Sequence, residues 1–181
     1  MIKSNLHTHT IYCDGENTPE EMLLAAIAKG FRSLGFSEHA PIPAPEMCGM
    51  RPSNIAEYIE DVKALKEKHK GKINIFLGIE NDSLGIQLRD EFDYTIGSVH
   101  MIAEGGTFYC IDDTAEITRA CIRDIFDGDA TALVKRYYRE VMRNVEENRP
   151  DIIGHFDIIK KNNIGNKYFN EKDNWYLDIV E

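Results

Sequence analysis

Short apolar runs alternate along the chain with longer stretches in which apolar residues recur every three or four positions. A short apolar run bounded by turn residues is typical of a buried strand, and the longer period is typical of an amphipathic helix. The apolar runs predict five strands, at residues 2–8, 34–36, 73–79, 93–99 and 151–154. A further short hairpin is predicted around residues 107–110, after the Gly105-Gly106 turn.

The first helix has the clearest start signal. Thr18 suits the N-cap position, Pro19 suits the first helical position, and Glu21 completes a capping box with Thr18. Gly30 predicts the end of this helix. Three more helices are predicted from residue 52 to about 71, over 114–126 and over 130–148. The segment from 162 to 181 has only a weak pattern.

Alternating strands and helices predict an α/β fold with a parallel sheet, because helical connections return the chain to the same end of the sheet. Both a barrel and a doubly wound open sheet fit this pattern. No GxGxxG sequence follows the first strand, so a dinucleotide site is not supported. A length of 181 residues with no evident linker predicts a single domain spanning residues 1–181.

The composition narrows the class of protein, since 43% hydrophobic and 29% charged residues are ordinary for a globular chain. The sequence has no apolar run near the ~20 residues of a membrane span and no signal-peptide pattern, so we expect a cytoplasmic protein without a membrane partner. A net charge of −10 argues against nucleic acid as a partner, although bound metals would still permit a small phosphorylated substrate. The four cysteines, none in a CxxC motif, are expected to be reduced thiols.

Five of the six histidines and one glutamate fall at the ends of the predicted strands. These residues are His7, His9, His39, Glu80, His100 and His155. In parallel α/β folds the carboxyl ends of the strands share one edge, where ligands and active sites gather. His7 and His9 are two positions apart, so they face the same side of a strand and can chelate one ion. Glu80 can bridge two ions, and this set of donors suits Zn, Fe or Mn.

Several polar residues near these motifs also have simpler explanations. Asp14, which precedes Gly15, fits either an ordinary turn or a ligand over the same edge. Cys13 fits a small, half-buried filler. His69 lies in a charged helix end and is expected at the solvated surface. Lys160 could bind a substrate phosphate or could simply be solvated.

Taken in order, these motifs resemble the PHP (polymerase and histidinol phosphatase) superfamily. The matching residues are His7-Thr8-His9-Thr10 with Asp14-Gly15, Gly35-Phe36-Ser37-Glu38-His39-Ala40-Pro41, Gly78-Ile79-Glu80, Gly97-Ser98-Val99-His100 and Gly154-His155-Phe156-Asp157. Within the superfamily, the Ser-Val-His run and Tyr137-Tyr138 are similar to the histidinol-phosphate phosphatases. The resemblance extends from residue 2 to about residue 161.

The resemblance implies a PHP-type distorted (β/α)7 barrel that holds two or three divalent transition metals, Zn, Fe or Mn. By resemblance, one ion would be held by His7, His9 and Glu80, a second by Glu80, His100 and His155, and a third by Asp14 and His39. Glu80, His100 and His155 would be the catalytic residues. Lys160 is a candidate substrate ligand on its residue type alone and is not part of the resemblance. The implied reaction is hydrolysis of L-histidinol phosphate to L-histidinol and phosphate by attack of a metal-bridging hydroxide. Another small phosphate ester as substrate, and a catalytically inactive metal-binding remnant, are the alternatives.

The sequence departs from the family pattern after the fifth strand. The family's Asp-x-His motif does not follow His155, and about five of the seven strands are predicted, so we expect a barrel truncated at its C-terminus. Five strands of seven leave two apolar sheet edges without a neighbour. We therefore expect either completion by another chain or a homo-oligomer formed through these exposed edges.

Overall fold

Strands and helices alternate along the part of the chain that the structure, a computed structural model, describes, which is residues 3–43 and 49–181. The strands are β1 (Ser4–Asn5), β2 (Ser33–His39), β3 (Asn74–Asp82), β4 (Tyr94–Ser98), β5 (Met101–Glu104), β6 (Thr107–Cys110) and β7 (Ile152–Ile153). The helices are α1 (Pro19–Ala28), α2 (Ile55–Lys68), α3 (Ala115–Phe126), α4 (Ala130–Asn148) and α5 (Asn174–Val180).

Five of these strands form one sheet in the order β1-β2-β3-β4-β7, and β5 pairs with β6 in an antiparallel hairpin. The β1–β2 and β2–β3 pairs are parallel, which confirms the predicted α/β class. The contacts within the chain divide it into an N-terminal unit, Met1–Ile96 with Pro150–Ile152, and a C-terminal unit, Gly97–Arg149 with Ile153–Glu181. The single domain over 1–181 stays a prediction.

The lengths of the strands differ from the prediction. β1 has two residues instead of seven, and the backbone leaves the ladder at Leu6, whose carbonyl accepts a hydrogen bond from the Tyr94 hydroxyl at 2.5 Å. It returns to β2 at Thr8, whose carbonyl accepts a hydrogen bond from the Ser37 amide at 2.9 Å. β2 and β3 are longer than predicted, so polar residues that were expected after these strands lie inside them.

Helix α1 begins as the sequence predicts. The Thr18 side chain accepts a hydrogen bond from the Glu21 amide, and the Glu21 carboxylate accepts one from the Thr18 amide at 2.8 Å. This capping box satisfies two amides that the helix leaves without partners. Helices α1 and α2 pack on β2 and β3 around a core that includes Leu23, Phe36, Tyr58, Val62, Leu77 and Ile79.

His69 is buried, so its predicted position at the solvated surface is wrong. Its exposed fraction is 5%, and its Nε2 lies 3.7 Å from Oε1 of Glu20 in the first turn of α1. The charged neighbours that suggested a solvated stretch, Lys68 and Lys70, do have exposed side chains. The imidazole points toward α1, and this tertiary contact has no local signal in the sequence.

The C-terminal unit packs the β5–β6 hairpin with α3 and α4. The hairpin pairs Met101 with Cys110, and both glycines of its Gly105-Gly106 turn have positive φ. The weakly patterned tail ends in α5, which places Tyr176 against this core. The hydroxyl oxygens of Tyr176 and Tyr138 lie 3.1 Å apart.

Two further expectations concern the described residues. None of the helices among them combines the length and the apolar character needed to cross a membrane. Cys13, Cys110 and Cys121 are thiols, as predicted, whereas Cys48 lies outside the described residues.

Candidate metal centre

The segment after β1 carries two imidazoles on one side of the chain. Thr8 lies between His7 and His9 and turns the other way, where its Oγ1 donates to the Gly35 carbonyl at 2.6 Å. The Ser37 amide also donates to the Thr8 carbonyl, so the segment is fixed against β2. The rings of His7 and His9 share one side, with centroids 5.2 Å apart, as their spacing predicts.

Glu80 lies at the centre of this group. It is fully buried on β3, in register with His39 on β2. Its Oε2 lies 3.1 Å from each of three imidazole nitrogens, which are Nε2 of His7, Nε2 of His9 and Nδ1 of His39. The segment after β1 and the end of β2 therefore bring three imidazoles to one carboxylate oxygen.

Asp14 reaches the same group from the loop after His9. Its Oδ1 lies 2.9 Å from Nδ1 of His9, and its Oδ2 lies 3.7 Å from Nε2 of His39. Gly15 makes this loop possible, because a Cβ at that position would lie 2.6 Å from the amide nitrogen of Thr10. Asp14 and Gly15 therefore form a turn, and Asp14 also contacts the histidines, so the two explanations given for Asp14 are compatible.

A second buried carboxylate, Glu38, holds this loop in place. Its Oε2 accepts a hydrogen bond from the Thr10 amide at 3.0 Å, and its Oε1 accepts one from the Thr10 hydroxyl at 2.8 Å. The Cys13 thiol also donates to Oε2 at 2.8 Å. The sequence interpretation assigned Glu38 no role of its own, although a carboxylate inside an apolar strand signals a polar partner. Glu38 is the anchor of the loop that carries Asp14.

The carboxylates make this group favour positive charge. Burial, the largest effect, disfavours the charged imidazole of His9, but hydrogen bonds with Asp14, Cys13 and Glu80 outweigh it and raise the pKa of His9 to about 12. The hydrogen bond with His9 in turn holds the pKa of Asp14 well below its usual range. Burial and the charge of Glu38 raise the pKa of the Cys13 thiol to about 12, against the lowering effect of His9. Surroundings that hold a proton this firmly also favour a metal cation.

The donor atoms and their spacing fit a transition metal. Imidazole nitrogen and carboxylate oxygen are ligands that Zn, Fe and Mn accept. Tetrahedral donors at about 2.0–2.1 Å from zinc lie about 3.3–3.4 Å from one another. The three nitrogen–oxygen distances at Glu80 are 3.1 Å, and the ligand atoms of His9, His39 and Glu80 are close enough to hold one ion.

The C-terminal unit contains a second pair of imidazoles. The Nε2 atoms of His100 and His155 lie 3.3 Å apart. The Ile111 amide donates to the His100 carbonyl at 2.9 Å, and the Tyr137 hydroxyl donates to the His155 carbonyl at 3.5 Å. The hairpin and α4 therefore position the two backbones, and the distance between the ring nitrogens suits a shared cation.

Lys160, the predicted phosphate ligand, contacts two carboxylates in the C-terminal unit. Its Nζ lies 3.2 Å from Glu171 and 3.4 Å from Asp157. The hydrogen bond with Glu171 raises the pKa of Lys160. The ammonium would have to leave these partners to bind a phosphate.

Known proteins are similar to most of this chain. The histidinol-phosphatase of Bacillus subtilis (strain 168) is 27% identical over 189 residues, which are 89% of this chain and 68% of the relative. The crystal structure of a histidinol phosphate phosphatase from Lactococcus lactis, complexed with zinc, L-histidinol and phosphate, has a TM-score of 0.61 and 25% identity, covering 88% of this chain and 59% of that one. A Listeria monocytogenes structure has a TM-score of 0.70 at 23% identity, covering 87% of this chain and 68% of that one, and so supports the fold.

These similarities identify the fold and the family. The five-stranded sheet matches an incomplete PHP-type barrel, as predicted from the sequence. The chain spans 59% to 68% of the length of the three proteins. The PHP domain family matches residues 5–181, a range that takes in every histidine described above. The chain therefore belongs to the PHP domain family.

Proposed function

We propose that this protein is a metal-dependent phosphomonoesterase that hydrolyses L-histidinol phosphate to L-histidinol and phosphate. The observation that carries the proposal is the group of three imidazole nitrogens, each 3.1 Å from Oε2 of Glu80. The substrate is supported by the relatives, since the Bacillus protein is a histidinol-phosphatase and the Lactococcus structure contains L-histidinol and phosphate.

The residues proposed as metal ligands are His7, His9, Asp14, His39, Glu80, His100 and His155. Bound divalent ions would acidify a water molecule and neutralise phosphoryl oxygens. The chain itself supplies preorganised donors, because Thr8 fixes the backbone between His7 and His9 and burial in β3 fixes Glu80. Glu80, His100 and His155 stay the proposed catalytic residues, and Zn, Fe or Mn stay the proposed metals.

The donors around Glu80 are accessible to solvent from one side. The side chains of His7 and Asp14 are 32% and 46% exposed, whereas that of Glu80 is completely buried. The negative charge of Glu80 therefore lies beneath the imidazoles, and His7 and Asp14 form the rim. We propose that the phosphate ester approaches from this rim, where the imidazoles screen its dianion from Glu80.

The protein loaded with Zn²⁺ or Mn²⁺ is expected to release inorganic phosphate from L-histidinol phosphate. Removal of the metal with a chelator, followed by desalting, is expected to abolish this release, and metal addition is expected to restore it. A parallel panel of other small phosphate monoesters tests the substrate. A higher kcat/KM for another ester would contradict the proposed substrate, and metal-loaded protein that hydrolyses none of them would contradict the proposed function.

Lys160→Met tests the proposed phosphate ligand, because it removes the charge but retains an unbranched side chain. If the ammonium binds substrate, KM should rise about tenfold with little change in kcat, since uniform binding is lost. Lys161→Met is the matched control, as Lys161 lies 3.8 Å from Asp112 in the same unit. Equal KM values for the two variants would exclude Lys160 as a substrate ligand.

A further inference from the structure

Cys13 lies beside the candidate metal centre, and the proposed function gives it no role. Its Sγ lies 3.2 Å from Oδ1 of Asp14 and 2.8 Å from Oε2 of Glu38. One ligand atom from each of His9, Cys13 and Asp14 lies within 4.8 Å of the other two. These three residues come from six consecutive positions, so the loop alone brings them together.

The two nitrogens of His9 face different donors. Nε2 lies 3.1 Å from Glu80, whereas Nδ1 lies 2.9 Å from Asp14. The Nδ1 side of the ring therefore faces a carboxylate with a thiol beside it, and the Nε2 side faces the donors around Glu80.

We propose that Nδ1 of His9, Sγ of Cys13 and a carboxylate oxygen of Asp14 form an additional metal position, separate from the donors around Glu80, in which Cys13 is a thiolate ligand. This goes beyond the proposed function and does not depend on turnover. Imidazole, thiolate and carboxylate are the three ligand types that zinc accepts in proteins. Sulfur also sets the preference of the position, because a soft thiolate favours Zn²⁺ and Co²⁺ over Mn²⁺ and Mg²⁺.

Solvent access and a fixed loop backbone favour this assignment. Asp14 is 46% exposed and His9 is 20% exposed, so an ion can reach the position from solvent. Coordination replaces the thiol proton, which leaves to solvent. Burial and Glu38 hold that proton in the metal-free protein, so the charge of the cation has to stabilise the thiolate. Gly15 and Glu38 hold the loop backbone in place, so the three donors need little rearrangement.

His9 also links this position to the donors around Glu80. A neutral imidazole carries its proton on one nitrogen, so it binds one ion at a time. An ion at Nδ1 therefore leaves Nε2 as a hydrogen-bond donor toward Glu80, which keeps the imidazoles of His7 and His39. The two positions therefore cannot both use His9 at the same time. Because the position at Nδ1 includes a thiolate, Zn²⁺ and Co²⁺ favour it more than Mn²⁺ does.

Cobalt(II) tests the proposal directly, because a thiolate bound to cobalt gives a charge-transfer band in the near ultraviolet that nitrogen and oxygen ligands do not give. The full chain, stripped of metal and titrated with cobalt without oxygen, is expected to develop this band. Cys13→Ser is expected to lose the band while keeping the weak visible bands of cobalt bound to imidazole and carboxylate. Cys121→Ser is the control and is expected to keep the band, since Cys121 is buried in an apolar core.

A band that survives in Cys13→Ser, or a saturated unmutated chain without the band, would overturn the proposal. Alkylation of the unmutated chain provides a measurement that needs no variant. The rate at which iodoacetamide labels Cys13 is followed by mass spectrometry. Saturating Zn²⁺ is expected to slow this labelling by about tenfold or more, whereas Mn²⁺ is expected to leave it unchanged. Equal labelling with and without Zn²⁺ would also overturn it. A chain that develops the cobalt band but hydrolyses no phosphate ester when it is loaded with Mn²⁺ instead would contradict only the proposed function. Activity without the band would contradict only the thiolate ligand.

Discussion

Glu80→Gln is expected to lower kcat/KM on the order of 10³-fold and to reduce the metal bound per chain. Glutamine has almost the same shape, so it fits the buried position on β3. It removes the negative charge that three imidazole nitrogens face at 3.1 Å and places an amide there instead. A lost charge at a metal centre amounts to several kcal/mol of stabilisation, which is the basis of the expected factor.

Two measurements follow this variant. Metal content is determined by mass spectrometry after equilibration with a competing chelator, and the rate is determined by phosphate release. Glu140→Gln is the matched control, because Glu140 is also buried but pairs with Arg136 and Arg143 on α4. The control is expected to lower stability without changing metal content. Full metal content in Glu80→Gln would remove Glu80 from the centre.

Gly78→Ala is expected to destabilise the protein by about 3 kcal/mol, at the upper end of overpacking effects. A Cβ at Gly78 would lie 2.2 Å from Cζ and 2.5 Å from Cε1 of the Tyr94 ring. The ring cannot move freely, because its single hydroxyl proton lies between the carbonyl oxygens of Leu6 at 2.5 Å and Phe36 at 3.2 Å. A displaced ring would lose this hydrogen bond, at about 1 kcal/mol.

Urea unfolding at constant metal concentration measures this effect. Gly71→Ala is the control, since Gly71 has a φ of +79° and open space around its Cβ position. Only backbone strain of about 1–2 kcal/mol is expected there. Combining Gly78→Ala with Tyr94→Leu is expected to recover part of the loss, with a coupling energy of about 1–3 kcal/mol. Additive effects in the double variant would show that the ring is not the obstacle.

Local signals explain which elements the sequence predicts well. Helix α1 begins at a capping box, and α3 and α4 follow the caps Thr114 and Asp129, so their predicted ranges are confirmed within about a residue. The end of β1 combines a local and a distant contact. The Asn5 side chain accepts a hydrogen bond from the His7 amide at 3.0 Å, a turn that an asparagine can signal. The Tyr94 hydroxyl that meets the Leu6 carbonyl lies 88 residues further along the chain, which no window of sequence contains.

The candidate site also has features that local sequence predicts and features that depend on distant contacts. That His7 and His9 face one side follows from the two-residue period of an extended chain. The contact of Cys13 with Glu38 spans 25 residues and depends on a loop folding back over β2. Spacing alone therefore predicts a small filler at Cys13, and the structure shows a thiol between two carboxylates.

Glu38 and His39 are neighbours on β2, and their side chains leave opposite faces of the strand, yet both contact the loop after His9. A shift of one residue exchanges the two faces of a strand. If β2 paired with β3 one residue out of register, Glu38 would replace His39 opposite Glu80, and two buried anions would repel each other where an imidazole now meets a carboxylate. The charges at the centre therefore disfavour this shifted pairing and help to specify the alignment of β2 with β3.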